Sequence, residues 1–320
     1  MKKRILVCIL LVLVLLTGAA AVFAMLQLHK TNYIKDEEVE LFTEVLETET
    51  EAPLTAEMLY HPENVSHISD EQAKGTWCLL VIGEGSEDNN WRESAKALRD
   101  EIGLAAAGEE TAQTESEADD ITGYGEAQGI ILMVINHNRK TVYFYSFHKD
   151  LYARIGDYGG YRLGDAYMAG GGPLLRQTIE DNYGVRIDQY ASIRLADVAH
   201  ILKMEEFEDL DISNCGIDVI ENLVFSMKDI APSQMAGYVS KLLPFVSHNL
   251  TDMQIMKMVL QIPNIVAYGS VKGKIPYDGL YEKVGDLLVP DIEMTSAHLQ
   301  KSIYGTEEGQ TDSLKNSMTE

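Results

Sequence analysis

Two apolar runs, GIILMVIN and TVYFYSF, flank a short polar turn, HNRK, and read as the paired strands of one hairpin. Upstream, WCLLVIG from Trp77 to Gly83 is a continuous apolar run ended by glycine, the pattern of a strand buried on both faces. A strand covered on both faces needs a layer on each side. The hairpin therefore belongs inside a larger sheet with other elements packed above and below it.

Helical periods supply those layers. GGGPLLRQTIEDNYG places Pro173 at a first helical position and Gly184 at the C-terminal stop, with Leu175 and Ile179 on one face. VRIDQYASI alternates into another strand, LADVAHILKM supplies a helix through Leu195, Val198 and Leu202, and GIDVIENLVFSMKDI another through Ile217, Ile220, Val224 and Met227. SQMAGYVSKLL runs up to Pro244, and TDMQIMKMVLQI opens on a Thr251/Gln254 capping box and is expected to stop at Pro263. NIVAYGSV and DLLVPDI are late strand candidates. Strands interleaved with helices predict an α/β domain layered around one sheet.

The ends of the chain read differently. Lys2, Lys3 and Arg4 precede an uncharged run from Ile5 to Leu26, long enough to cross a bilayer. Positive charge before it keeps residues 1–4 cytoplasmic, makes 5–26 a single-pass anchor and puts the rest outside; a cleaved signal peptide is the alternative. Residues 27–75 are acidic with no regular apolar period and read as a solvated stalk. The folded domain is expected over 76–305, with an inserted helix and acidic loop at 84–126 and a disordered tail at 306–320.

A formal net charge of −24 repels nucleic-acid phosphates, so no nucleic acid is expected as a partner. Three cysteines, Cys8, Cys78 and Cys215, form no CxxC pair; whether Cys78 and Cys215 join in a disulfide stays open. The glycine-dense stretches have neither the GxxxxGK[ST] nor the strand-GxGxxG-helix layout, and the eight histidines show no zinc spacing. What remains is Lys149, Asp150 and Arg162, at the end of the hairpin and just beyond it. A lysine and an arginine can hold phosphate and a carboxylate can hold Mg²⁺; equally, the three can be an ordinary solvated face.

The order of these segments resembles the LytR-CpsA-Psr family of bacterial cell-envelope proteins. The likeness runs through WCLLVIG, the hairpin, SFHKDLYARI, YRLGDAYMAGGGPLLRQTIEDNYGVRIDQY and LADVAHIL, and resumes at LPFVSHNLTDMQIMKMVLQIP, GKIPYDGLY, LLVPDI and SIYG, which look like clostridial members. It implies a three-layer α/β/α domain with a central mixed sheet, after one N-terminal transmembrane helix, on the outer face of a Gram-positive cell membrane. It further implies Mg²⁺ as cofactor, with polyprenyl-linked glycopolymer and peptidoglycan as partners. Active members transfer glycopolymer from a polyprenyl-pyrophosphate carrier to peptidoglycan, with arginines holding the pyrophosphate.

Residue by residue, much of that machinery is replaced. Gly85 stands where the family has an aspartate, and Glu126, Ala127, Gln128 and Gly129 stand for its Arg-Ser-Asp-Thr. In SFHKD, Lys149 replaces the arginine while Asp150 stays. Arg162, Leu163, Gly164 and Asp165 replace Lys-(Ile/Leu)-Asn-Ala, and the Tyr-Val-Arg-x-Arg segment has no counterpart after DLDISN. No catalytic residue is assigned; Lys149 and Arg162 are the residual pyrophosphate-binding candidates and Asp150 the metal candidate. The resemblance then implies a non-catalytic or impaired envelope protein that binds lipid carrier, polymer or a partner, the alternative being an active Mg²⁺-dependent phosphotransferase.

Overall fold

Successive side chains of the central strands enter opposite layers, as a pleated strand requires. The computed structural model describes residues 32–33, 54–85, 125–194, 197, 220–221, 224–225, 227–230 and 232–305. Its strands are β1 (Asn32–Tyr33), β2 (Thr76–Gly85), β3 (Glu126–Asn136), β4 (Thr141–Phe147), β5 (Tyr152–Arg154), β6 (Gly160–Arg162), β7 (Gln189–Arg194), β8 (Val246–His248), β9 (Gly269–Ile275), β10 (Tyr281–Val284) and β11 (Leu287–Pro290). The helices are α1 (Leu54–Leu59), α2 (Leu163–Tyr183), α3 (Pro232–Leu242), α4 (Asp252–Ile265) and α5 (Ile292–Tyr304), with short 3₁₀ turns between them.

Seven strands form one sheet in the order β1-β8-β7-β2-β3-β4-β9. β2–β3, β3–β4 and β7–β8 pair antiparallel, while β1–β8, β2–β7 and β4–β9 pair parallel, so the sheet is mixed. The expected hairpin pairs Ile130 with Phe147 through to Asn136 with Thr141. Cys78, Leu80, Ile82, Leu132, Val134, Tyr143 and Tyr145 face one core, completed by Leu174, Leu175 and Ile179 of α2 and by Leu299 and Ile303 of α5. Leu79, Met133, Ile135, Val142 and Phe144 face the other, covered by Met235 and Val239 of α3 and by Ile255 and Ile262 of α4. Burial on both faces is what the continuous apolar runs required.

α2 is two helical pieces joined at Gly171, whose φ of 67° and ψ of −156° lie outside the helical region. Pro173 opens the second piece and Gly184 closes it in the left-handed conformation, as the sequence pattern predicts. The break lets the helix pass close to the sheet, because a side chain at Gly172 would run into the ring of Tyr190.

Three expectations change. Residues 54–75, read as the end of the acidic stalk, pack onto the domain: Ala56, Tyr60 and Val65 are buried in the first core, and Ile68 N–H donates to Gly184 O. Their apolar residues follow no single period and so escape a periodicity reading. Secondly, α4 runs through Pro263 to Ile265, since a proline near the helix end removes one donor while Val266 N–H still closes on Ile262 O. Thirdly, only the end of NIVAYGSV is strand. β9 is a largely exposed sheet edge carrying Lys272 and Lys274, which an apolar-run criterion misses.

The predicted anchor at 5–26, most of the inserted segment at 84–126 and the tail at 306–320 lie outside the described residues. Among the described residues no helix is long and apolar enough to cross a membrane. Cys78 is a buried free thiol, and Cys215 lies outside the described residues.

Candidate functional site

The hairpin end, the β5–β6 ribbon and the start of α2 converge, and their backbones are tied together before any side chain is considered. Gly164 N–H donates to Lys149 O (2.9 Å), Leu163 N–H to Leu151 O (2.7 Å), and Leu288 N–H to Asp150 O (3.0 Å). A Cβ at Gly164 would lie 3.3 Å from Lys149 O, so the helix start rests directly on the SFHKD turn.

This packing brings Lys149, Asp150 and Arg162 into one cluster. Lys149 Nζ lies 2.6 Å from Oε1 of Glu126, the first residue of β3. That contact, first through its hydrogen bond and then through the charge of Glu126, raises the ammonium pKa above its ordinary value. Gln128 Nε2 donates to the second Glu126 oxygen at 2.9 Å. Arg162 Nη1 lies 3.8 Å from Asp150 Oδ1, and Arg162 N–H donates to Asp165 Oδ2 at 3.1 Å.

His148 lies beside Asp150 at the hairpin end. Its Nδ1 accepts the backbone N–H of Asp150 at 3.2 Å, which leaves that nitrogen without a proton to offer the Asp150 carboxylate 3.8 Å away.

Asp165 and Glu84 were not among the candidates drawn from the sequence. Burial pushes the Asp165 carboxyl up to about 6, the Arg162 backbone hydrogen bond and charge partly oppose it, and Asp150 and Glu126 add to the rise. Its place in the first turn of α2, three residues after Arg162, where an aspartate can accept the backbone N–H that precedes the helix, is the signal that could have found it. Glu84 sits where β2 slips register against β3. Its oxygens accept Gly125 N–H (2.9 Å) and the buried Tyr167 hydroxyl (3.2 Å). Alternation along β2 puts that carboxylate on the same face as Leu80 and Ile82, toward α2, and the residue skipped at the slip is Gln128 of β3.

Three carboxylates, Glu126, Asp150 and Asp165, thus gather with two cations, Lys149 and Arg162. Among the described residues no group of three or more His, Cys, Asp or Glu side chains is arranged to hold a metal ion. Both Glu126 oxygens and one Asp165 oxygen are engaged, whereas Asp150 makes only long contacts. Asp150 is therefore the carboxylate of the cluster that could hold a cation. A separate groove of about 550 Å³, lined by Leu59, Tyr281, Glu282, Pro290 and Glu293 among others, includes none of the cluster.

Comparison with known proteins gives one extended match. The sequence model of the LytR_cpsA_psr family matches residues 59–229. Regulatory protein MsrR of Staphylococcus aureus (strain COL) is 28% identical over 106 residues, 32% of this chain and 32% of that protein, so the chain spans about a third of the curated relatives it matches. Among solved structures, TagV of Bacillus subtilis is similar over 73% of this chain and 99% of its own, at 13% identity and a TM-score of 0.47. TagT of Bacillus subtilis is similar over 76% of this chain and 96% of its own, at 12% identity and a TM-score of 0.40.

Proposed function

Because the chain belongs to the LytR-CpsA-Psr family, we propose that it is a membrane-anchored envelope protein of cell-wall glycopolymer assembly that binds a phosphate-bearing lipid carrier or polymer without transferring it. The observation behind this reading is the charge balance of the cluster. Lys149 is paired with Glu126 at 2.6 Å, and Arg162 faces Asp150 at 3.8 Å. Phosphoryl transfer between a pyrophosphate carrier and an acceptor proceeds by positioning and charge stabilisation, so it needs cations that remain available in the transition state. Here both are already shared with carboxylates.

In this reading residues 5–26 anchor the chain, the N-terminus is cytoplasmic and the domain faces outward, where carrier lipid and peptidoglycan are found. Arg162 would hold phosphate oxygens through its fork and Lys149 as a point charge. Asp150 would face any Mg²⁺ that arrives with the diphosphate, where the ion neutralises phosphate charge.

The test is direct. Full-length protein in detergent is mixed with Mg²⁺, peptidoglycan and a polyprenyl-pyrophosphate-linked glycopolymer, and both retained lipid and transferred polymer are measured. Lipid retention without transfer is expected. Transfer that disappears in Lys149→Ala or Asp150→Ala would instead establish the second reading, an active phosphotransferase, which draws support from the convergence of Lys149, Asp150 and Arg162 with an Asp165 carboxyl near 6.

A further inference from the structure

We propose that Glu126 is a built-in competitor for the oxyanion ligand of this site, holding Lys149 until a ligand of higher charge displaces it. The inference rests on the reading of the cluster as an oxyanion site.

Both partners are preset. Gln128 lies two residues along β3, at the register slip against β2. Its amide donates to Glu126 Oε2 at 2.9 Å and holds the other oxygen toward Lys149. The Lys149 backbone is fixed in turn by the Gly164 N–H bond to its carbonyl. Yet the pair is reachable from solvent, with the Lys149 and Glu126 side chains 33% and 38% exposed.

A carboxylate presents two oxygens and one negative charge, much as one edge of a phosphate group does. An incoming monoanion, whether a carboxylate or a phosphodiester, would exchange one such contact for another of the same kind and gain nothing. A diphosphate carries enough charge and reach to engage Lys149 and Arg162 together, and it gains where the monoanion does not. Glu126 therefore sets both the low affinity of the site and its preference for diphosphates over singly charged anions.

Isothermal titration calorimetry of the full-length protein with inorganic pyrophosphate, in buffer containing Mg²⁺, tests this. Glu126→Gln keeps the side-chain shape and removes the charge, and it should tighten binding roughly tenfold, the scale of one charge-assisted contact. The gain should vanish in Glu126→Gln combined with Lys149→Ala, and the preference for pyrophosphate over acetate should narrow in Glu126→Gln. Should Glu126→Gln fail to fold, Glu126→Ala takes its place with the same expected gain.

Equal pyrophosphate affinity in wild type and Glu126→Gln would overturn the role of Glu126 while leaving the oxyanion site standing. A gain that persists without Lys149 would also overturn it, since the effect would then be one of overall charge. No pyrophosphate binding by any form would overturn the oxyanion reading itself, and the inference with it.

Discussion

Tyr60 Oη donates a hydrogen bond to Oδ1 of Asn182 across 122 positions of sequence, and both side chains are buried. The same oxygen accepts Arg154 N–H at 2.9 Å, while Asn182 Nδ2 donates to Arg154 O and Thr178 O, each at 2.7 Å. One amide thus joins the segment before β2, the β5–β6 ribbon and α2. Asn182→Ala would leave the Tyr60 hydroxyl and the Arg154 backbone without these partners and should cost about 2–4 kcal/mol. Tyr60→Phe removes one donor while Asn182 Oδ1 keeps the other, and should cost about 1 kcal/mol. Urea unfolding at constant m-value checks the order; equal losses would mean that the hub does not act through Asn182.

Gly171 occupies a backbone region reserved almost entirely for glycine. Gly171→Ala should destabilise the fold by about 1–3 kcal/mol, visible as a lowered thermal midpoint. Wild-type stability would show that the two pieces of α2 can be joined in another way.

Asp165 gives a pH dependence of defined sign. Its carboxyl is raised to about 6 from 3.8, mainly by burial, so the folded state holds a proton that the unfolded state has already released. Stability should therefore be fullest below pH about 4, fall as pH rises to about 6 and level off above, by on the order of 1–2 kcal/mol after allowance for solvent screening. Asp165→Asn keeps an oxygen for Arg162 N–H and should flatten that slope. Denaturant midpoints measured from pH 4 to 7 decide the matter; parallel profiles for the two proteins would rule Asp165 out as the source.

Cys78 is buried, and that burial pushes its thiol up to about 12, with the charge of Asp188 adding to the effect and a contact to Tyr304 Oη opposing it. Native protein treated with iodoacetamide at pH 8 should leave Cys78 unmodified in peptide mass maps, and urea should expose it to full alkylation. Rapid native alkylation at this position would contradict the packing of α5 over β2.

Much of the architecture was legible from local pattern. Continuous apolar runs located β2, β3 and β4 because these strands are covered on both faces, and Pro173 with Gly184 marked the second piece of α2 because each residue type has one strong positional preference. Exposed or irregular elements were not legible. β9 carries lysines instead of an apolar run, and residues 54–75 bury side chains without a period. Within the site, Lys149, Asp150 and Arg162 could be named from residue type, but nothing local distinguishes Glu84, whose contact with Tyr167 of α2 spans 83 positions of sequence.

What the sequence by itself determined is the buried strands β2 to β4 and the layered α/β class, which follow from residue types at fixed local spacing, and, through the likeness of its motifs, membership of the LytR-CpsA-Psr family. The tertiary structure decided how the charges are used. Glu126 and Lys149 are 23 residues apart and lie on different strands, so their 2.6 Å contact is set by strand register and by the seating of α2 on the hairpin end. Electrostatic interaction depends on distance and burial, and neither can be read from spacing along the chain.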